Sequence, residues 1–155
     1  MEALVLERQR HMDTILGFKT YIVEDNATIR ENLIGTLEEL AGIQVVGMAE
    51  AESEGTRWLR ACADQWSMVI VDLFLKQGSG LGLLAACRER ARHQRVVVLS
   101  NYATSDIRAR CTQLGADAVF DKSNEIDALV DYCLLQGKAQ ARVDFRPTAG
   151  SIRGR

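Results

Sequence analysis

A single proline in 155 residues, no CxxC pair, no cluster of cysteine with histidine and no large excess of either charge are what this chain lacks. Its four cysteines, Cys62, Cys87, Cys111 and Cys133, are widely spaced, and each falls in a segment of helical periodicity. That spacing argues against a thiolate metal site or a redox pair and favours small buried hydrophobes in a reducing compartment. The formal net charge of −2 gives the chain no overall footprint for nucleic acid. No apolar run approaches the roughly 20 residues that a bilayer crossing needs. The opening MEALVLERQRHMDTILG sets Glu2, Glu7, Arg8, Arg10 and Asp13 among its apolar residues, unlike the basic start and clean apolar block of a secretion signal. A cytoplasmic protein with no membrane association is the expectation.

What is present is 47% hydrophobic and 26% charged residues, enough for one ordinary core. Short apolar runs, FKTYIVE, IQVVGMA, SMVIVDLF, RVVVLSN and DAVFDK, alternate with longer segments of helical spacing. Several runs are apolar at consecutive positions, as strands of a parallel sheet covered on both faces would be. Between the first two, Ile29, Leu33, Leu37 and Leu40 recur at helical spacing and Gly42 supplies a stop. Later segments repeat the pattern with Trp58 and Cys62, with Leu81 and Leu84, with Ile107, Cys111 and Leu114, and with Ile126, Leu129, Val130 and Cys133. Five strands and five helices wound with right-handed crossovers predict an α/β, doubly wound parallel sheet, with ligands held beyond the carboxyl ends of its strands.

Three regions follow. Residues 18–136 carry the alternation. Residues 1–17 form an N-terminal extension, partly helical in pattern, that either self-associates or frays, with His11 a surface residue. Residues 137–155, GKAQARVDFRPTAGSIRGR, hold Pro147 and the basic Lys138, Arg142, Arg146, Arg153 and Arg155, and are predicted to be a flexible tail.

The polar residues at strand ends carry the chemistry. Glu24 and Asp25 end the first run, Asp72 the third, Ser100 the fourth and Lys122 the fifth. Singly, an acidic pair ahead of a helix is ordinary capping, and a lone Asp, Ser or Lys after a strand is ordinary loop chemistry. Together they converge on one rim, and three partly buried carboxylates repel one another unless a cation neutralises them. All-oxygen ligation beside room for a phosphate favours Mg²⁺, with Mn²⁺ able to substitute. Adding one lysine and one hydroxyl gives a site that can hold a phosphoryl group, with Asp72 as nucleophile.

These stretches, VED after the first strand, VIVDLFLKQGSGLGLL around the third, VVVLSN at the fourth and GADAVFDKS at the fifth, resemble the receiver domains of bacterial two-component response regulators over roughly residues 18 to 136. The resemblance implies a flavodoxin-like (βα)5 fold with strand order 2-1-3-4-5. It makes Asp72 the phosphoacceptor, Asp25 a direct Mg²⁺ ligand, Glu24 a carboxylate acting on the metal mostly through water, and the backbone carbonyl of Phe74 a further ligand. Ser100 is the switch hydroxyl and Lys122 the phosphoryl-pairing lysine. A histidine kinase or histidine phosphotransfer protein supplies the phosphate, and a downstream protein target reads the result. The chain is then a signalling switch that catalyses only its own phosphoryl transfer and dephosphorylation.

Several positions depart from the family pattern. Lys76 stands where many receivers have proline, so LKQGSG reads as a more flexible loop. Val119 occupies the usual switch-aromatic position, Phe120 points to the other face by strand alternation, and Tyr102 is a candidate to report activation instead. Asn101 and Phe74 are candidates to shield an acyl phosphate from water. Ser123 replaces a common proline, and it or Asn124 can cap the last helix. The nineteen or so residues after the fifth helix are too few for a helix-turn-helix module, so a single-domain regulator working through protein contacts is expected, by way of the fourth helix, fifth strand and fifth helix. Arg108 and Arg110 are candidate contact residues there, and homodimerisation is left open.

An alternative is a receiver used as a phosphorylation-independent binding scaffold, against which the presence of all five site residues argues. A phosphohydrolase would need an acid two positions after the nucleophile, where Phe74 cannot donate a proton. A flavin or nucleotide site would need a phosphate loop where VEDNATIR puts carboxylates.

Overall fold

Alternation along each strand decides the architecture. On β1 (Phe18–Val23), Phe18 and Ile22 face one side while Tyr21 and Val23 face the other, and all four are buried. The same division runs through β3 (Met68–Val71) and β4 (Arg95–Ser100): Met68, Ile70, Val97 and Leu99 join Phe18 and Ile22, whereas Val69, Val71, Val96 and Val98 join Tyr21 and Val23. A sheet apolar on both faces requires helices on both.

The computed structural model describes residues 17–144. β2 (Ile43–Ala49) and β5 (Ala118–Asp121) form the edges of a five-stranded parallel sheet in the order β2-β1-β3-β4-β5. Five helices intervene: α1 (Ala27–Ala41), α2 (Glu52–Ala61), α3 (Gly80–Ala86), α4 (Ser105–Gln113) and α5 (Ile126–Asp144). Leu59, Leu83, Leu84 and Cys111 bring α2, α3 and α4 onto one face. Leu33, Leu37, Leu129 and Cys133 bring α1 and α5 onto the other. The strand order switches beside β1, where β2 lies on one side and β3 on the other, and the carboxyl-terminal rim at that switch is where such sheets hold ligands.

Local chemistry sets the helix ends. Asn26 caps α1 by accepting from Ile29 N–H at 3.0 Å, and Gly42 ends it in the left-handed region at φ 64°. Thr104 and Ser79 cap α4 and α3 in the same way. The expected capping of the last helix by Ser123 or Asn124 takes another form. Asp121 Oδ1 accepts the N–H of both, at 2.7 and 3.1 Å, and so folds the turn that enters α5.

The structure departs from the sequence reading in three further places. The buried stripe of α1 is Arg30, Leu33, Leu37 and Ala41, and Leu40 is exposed. α5 continues past Gln136 to Asp144, so the boundary expected at 136 falls inside a helix. Its last turns are built largely from small and polar residues, with Ala141 buried, and therefore carry little apolar signal. Cys62 and Cys87 cap their helices instead of lying within them, and all four thiols are free. Burial pushes the Cys87 thiol up to about 11 and the Cys133 thiol up to about 12, which suits inert core residues. Among the described residues no helix is long and apolar enough to cross a membrane. The N-terminal extension with His11 and the basic tail from residue 145 lie outside the described residues.

Candidate functional site

Because parallel strands all end on the same side, the residues just beyond β1, β3 and β5 and the last residue of β4 meet at one rim. Glu24 and Asp25 follow β1, Asp72 follows β3, Ser100 ends β4 and Lys122 follows β5. The structure brings all five together. Glu24, Asp72 and Ser100 are buried, an uncommon position for carboxylates unless they are paired.

The pairing is specific. Lys122 Nζ donates to Glu24 Oε1 at 2.5 Å and to Asp72 Oδ2 at 3.1 Å, so one ammonium bridges acids from two strands. Carboxylate oxygens of Glu24, Asp25 and Asp72 lie within 4.8 Å of one another. Backbone donors occupy other lone pairs: Asn26 N–H reaches Glu24 Oε2 at 3.3 Å, Phe74 N–H reaches Asp72 Oδ1 at 3.2 Å, and Lys76 N–H reaches Asp25 Oδ2 at 2.8 Å.

Protonation follows from these contacts. Burial pushes the Glu24 carboxyl above its ordinary value, partly offset by the Lys122 hydrogen bond and reinforced by the Asp72 charge. For Asp25, burial works upward, but the Lys76 N–H bond, the Glu24 hydrogen bond and the Lys76 charge outweigh it and hold the carboxyl below its usual value. Lys122 is partly buried, which alone would lower its pKa, yet its bond to Glu24 and the Asp72 charge raise it. The ammonium therefore stays charged at neutral pH.

Three clustered carboxylates beside one ammonium are short of positive charge, and their donor set is oxygen alone. That is the chemistry of a hard divalent ion such as Mg²⁺, and these residues can hold a metal. Phe74 stands exposed at the mouth, edge-on to Tyr102 with ring centroids 5.3 Å apart. Ser100 Oγ accepts from Tyr102 N–H at 3.1 Å, and the Ser100 carbonyl accepts from Lys122 N–H at 3.0 Å. β4, its following loop and β5 are thus tied at the site itself.

Several contributors escaped the sequence reading. Arg30 lies buried on α1 and donates from Nη1 to the Glu24 carbonyl at 2.8 Å while pairing with Glu50 at 3.3 Å. Its spacing from Leu33 and Leu37 was the available signal, since 30, 33 and 37 share a helix face. The loop after Asp72, expected to be flexible, is fastened: Lys76 N–H to Asp25, Glu52 N–H to the Gln77 carbonyl at 3.2 Å, and Gly80 N–H to the Leu73 carbonyl at 3.0 Å. Arg108, expected as an exposed contact residue, instead donates to the carbonyls of Ala103 and Val119 at 2.9 and 3.0 Å and ion-pairs with Glu125. Arg110 is exposed. Val119 packs toward α4 while Phe120 sits on the opposite face against Tyr132, as strand alternation requires.

Comparison with known proteins agrees with this geometry. The family described as "Response regulator receiver domain" matches residues 20–133. Response regulator UvrY of Escherichia coli O157:H7 is 29% identical over 104 residues, covering 65% of this chain and 45% of that protein. Photosynthetic apparatus regulatory protein RegA of Rhodobacter capsulatus is 27% identical over 118 residues, 76% of this chain and 62% of that one. The chain thus spans roughly half the length of these curated relatives. The signal receiver domain of the NarL response regulator from Mycobacterium tuberculosis superposes with a TM-score of 0.68 at 20% identity, covering 79% of this chain and 97% of that one. A chain of the CheX-CheY-BeF3-Mg²⁺ complex from Borrelia burgdorferi gives a TM-score of 0.68 at 18% identity, with 77% of this chain and 89% of that one covered. Identities this low carry the fold alone.

Proposed function

The chain belongs to the response regulator receiver domain family, and on that premise we propose that it is a phosphorylation switch of a two-component system in which Asp72 accepts a phosphoryl group from a histidine kinase or histidine phosphotransfer protein. The observation that carries this reading is the Lys122 ammonium shared between Glu24 and Asp72, with Asp25 completing the acidic cluster. A purely structural ion pair would not need three acids for one base.

In this reading a carboxylate oxygen of Asp72 attacks the phosphorus of a phosphohistidine. The new O–P bond forms as the N–P bond breaks, and the electron pair returns to the imidazole nitrogen. Phosphoryl transfer demands positioning and charge neutralisation more than covalent assistance. Mg²⁺ held by Glu24, Asp25 and Asp72, with the Phe74 carbonyl as a further ligand, supplies that neutralisation when bound. Asp72 is already oriented by Phe74 N–H, and Lys122 stands close enough to turn from Glu24 to a phosphoryl oxygen. Hydrolysis reverses the state: water attacks phosphorus, the Asp72 O–P bond breaks, and carboxylate and inorganic phosphate remain.

Ser100 provides the response. Its Oγ accepts from Tyr102, so its own proton can be donated to the more highly charged phosphoryl group. Movement of Ser100 draws on the loop through Tyr102 and Ala103, and Arg108 ties that loop to β5 and to the turn before α5. A face made by α4, β5 and α5 is then the surface that a downstream protein reads. A cavity of about 310 Å³ lies beside the site, lined by Ile29, Leu33, Asn101, Lys122 and Ile126 among others.

Beryllofluoride, an acyl-phosphate mimic, tests the reading. Amide resonances of Asp72, Ser100 and Lys122 should shift when Mg²⁺ and beryllofluoride are both present, beyond the change with Mg²⁺ alone. A protein that binds Mg²⁺ and shows no such additional shift contradicts it.

A further inference from the structure

The segment LKQGSGLG, residues 75–82, spaces three glycines at alternate positions, and the function above uses none of them. The structure gives each a steric reason. A Cβ on Gly80 would lie 2.4 Å from the carbonyl oxygen of Asp72, so the chain can return against the site only without a side chain there. Gly78 adopts φ +83°, and a Cβ on it would meet Glu52 Cβ at 2.4 Å. A Cβ on Gly82 would meet Glu52 Oε2, also at 2.4 Å. Two of the three glycines thus make room for one glutamate at the start of α2.

Glu52 uses that room. Its Oε1 accepts from Ser79 N–H at 2.7 Å, and its own N–H donates to the Gln77 carbonyl at 3.2 Å. The held segment begins with Phe74 and Lys76, whose N–H groups bond Asp72 and Asp25. We infer that Glu52 is a positioning residue for the metal site, fixing the β3–α3 loop so that the Lys76 N–H meets Asp25 and the Phe74 backbone stays at the mouth. The hydrogen bonds of Glu52 go to Ser79 and Gln77, one step removed from the acidic trio. It replaces with a side-chain clamp the rigidity that proline at position 76 would give. This inference rests on the proposed Mg²⁺ site for its consequence and on the loop contacts alone for its geometry.

The test uses the full chain with Glu52→Ala, Glu52→Gln and Gly82→Ala. Gln keeps an oxygen for Ser79 N–H. Gly82→Ala displaces the Glu52 carboxylate while leaving the residue in place and improving the helix former. Two quantities are read: the dissociation constant for Mg²⁺ from amide chemical shifts, and hydrogen exchange at the Lys76 and Ser79 amides. Outer-shell partners of a metal site typically set about 10- to 100-fold in affinity. The expected result is Mg²⁺ binding weakened about tenfold by Glu52→Ala and Gly82→Ala, with faster exchange at Lys76 and Ser79, and parent-like behaviour in Glu52→Gln. A merely structural residue would shift the melting temperature without moving Mg²⁺ affinity or Lys76 exchange in particular. Parent-like Mg²⁺ binding and Lys76 exchange in Glu52→Ala overturn the inference. If the parent itself fails to bind Mg²⁺, it is the proposed function that falls, and Lys76 exchange alone then decides the role of Glu52.

Discussion

Lys122 and Glu24, 98 residues apart in the chain, meet at 2.5 Å across the carboxyl rim of the sheet, and the same ammonium reaches Asp72 at 3.1 Å. This lysine bridges two buried acids from different strands. It therefore has a stabilising role distinct from any catalytic one.

Replacing Lys122 by Met leaves Glu24 and Asp72 buried without their counter-charge. Breaking a buried pair by removing one partner costs about 3–5 kcal/mol. Denaturant unfolding in EDTA should show a loss of that order for Lys122→Met, and saturating Mg²⁺ should recover part of it. A loss under about 1 kcal/mol, the range of exposed pairs, would show that Lys122 does not hold the acidic cluster together in EDTA.

Glu24 gives a pH dependence of defined sign. Its pKa is raised by burial and by Asp72, so the folded state holds the Glu24 proton more tightly than the unfolded chain. Its contribution is favourable below the ordinary carboxylate value and is lost as pH rises through the raised folded value. Glu24→Gln cannot lose that proton. In EDTA the melting temperature of Glu24→Gln relative to the parent should therefore be higher at pH 7 than at pH 4. Calorimetry showing the same difference at both pH values would contradict this.

Arg108 and Glu125 give a dependence of opposite sign. The Arg108 hydrogen bond, with help from Asp121 N–H, holds the half-buried Glu125 carboxyl below its usual value. Its stabilisation is present above that value and is lost as pH falls through the lower folded one. The parent should lose melting temperature in this acidic window more steeply than Glu125→Gln. Arg108→Ala should reduce the same acid sensitivity and speed hydrogen exchange in the β4–α4 loop. Unchanged exchange there would mean that Arg108 does not restrain the loop.

The fold was legible because both faces of the sheet are buried. Runs such as MVIV and VVVL advertise strands covered on two sides, and the residues beyond them fall on one rim by topology alone. Glu24, Asp25, Asp72, Ser100 and Lys122 could be found for that reason. Their support was less legible, because it consists of single polar contacts between distant segments. Nothing in the local pattern ties Glu52 to Gly78 and Gly82, and the loop read as flexible is held from another helix. Arg108 has the sequence of a solvated helix residue, yet three acceptors from the β4–α4 loop, β5 and the turn before α5 surround its guanidinium. Arg30 alone left a trace, by sharing the face of Leu33 and Leu37, where a charged side chain must find buried partners.

The phosphorylation switch is tested most directly by incorporation of phosphate from acetyl phosphate, followed by intact mass on the parent and on Asp72→Asn, each with Mg²⁺ and with EDTA. One added phosphate is expected on the parent with Mg²⁺, none in EDTA, and none on the folded Asp72→Asn variant under either condition. A parent that is folded and binds Mg²⁺ but takes up no phosphate would contradict the switch and favour a receiver acting as an unphosphorylated binding scaffold.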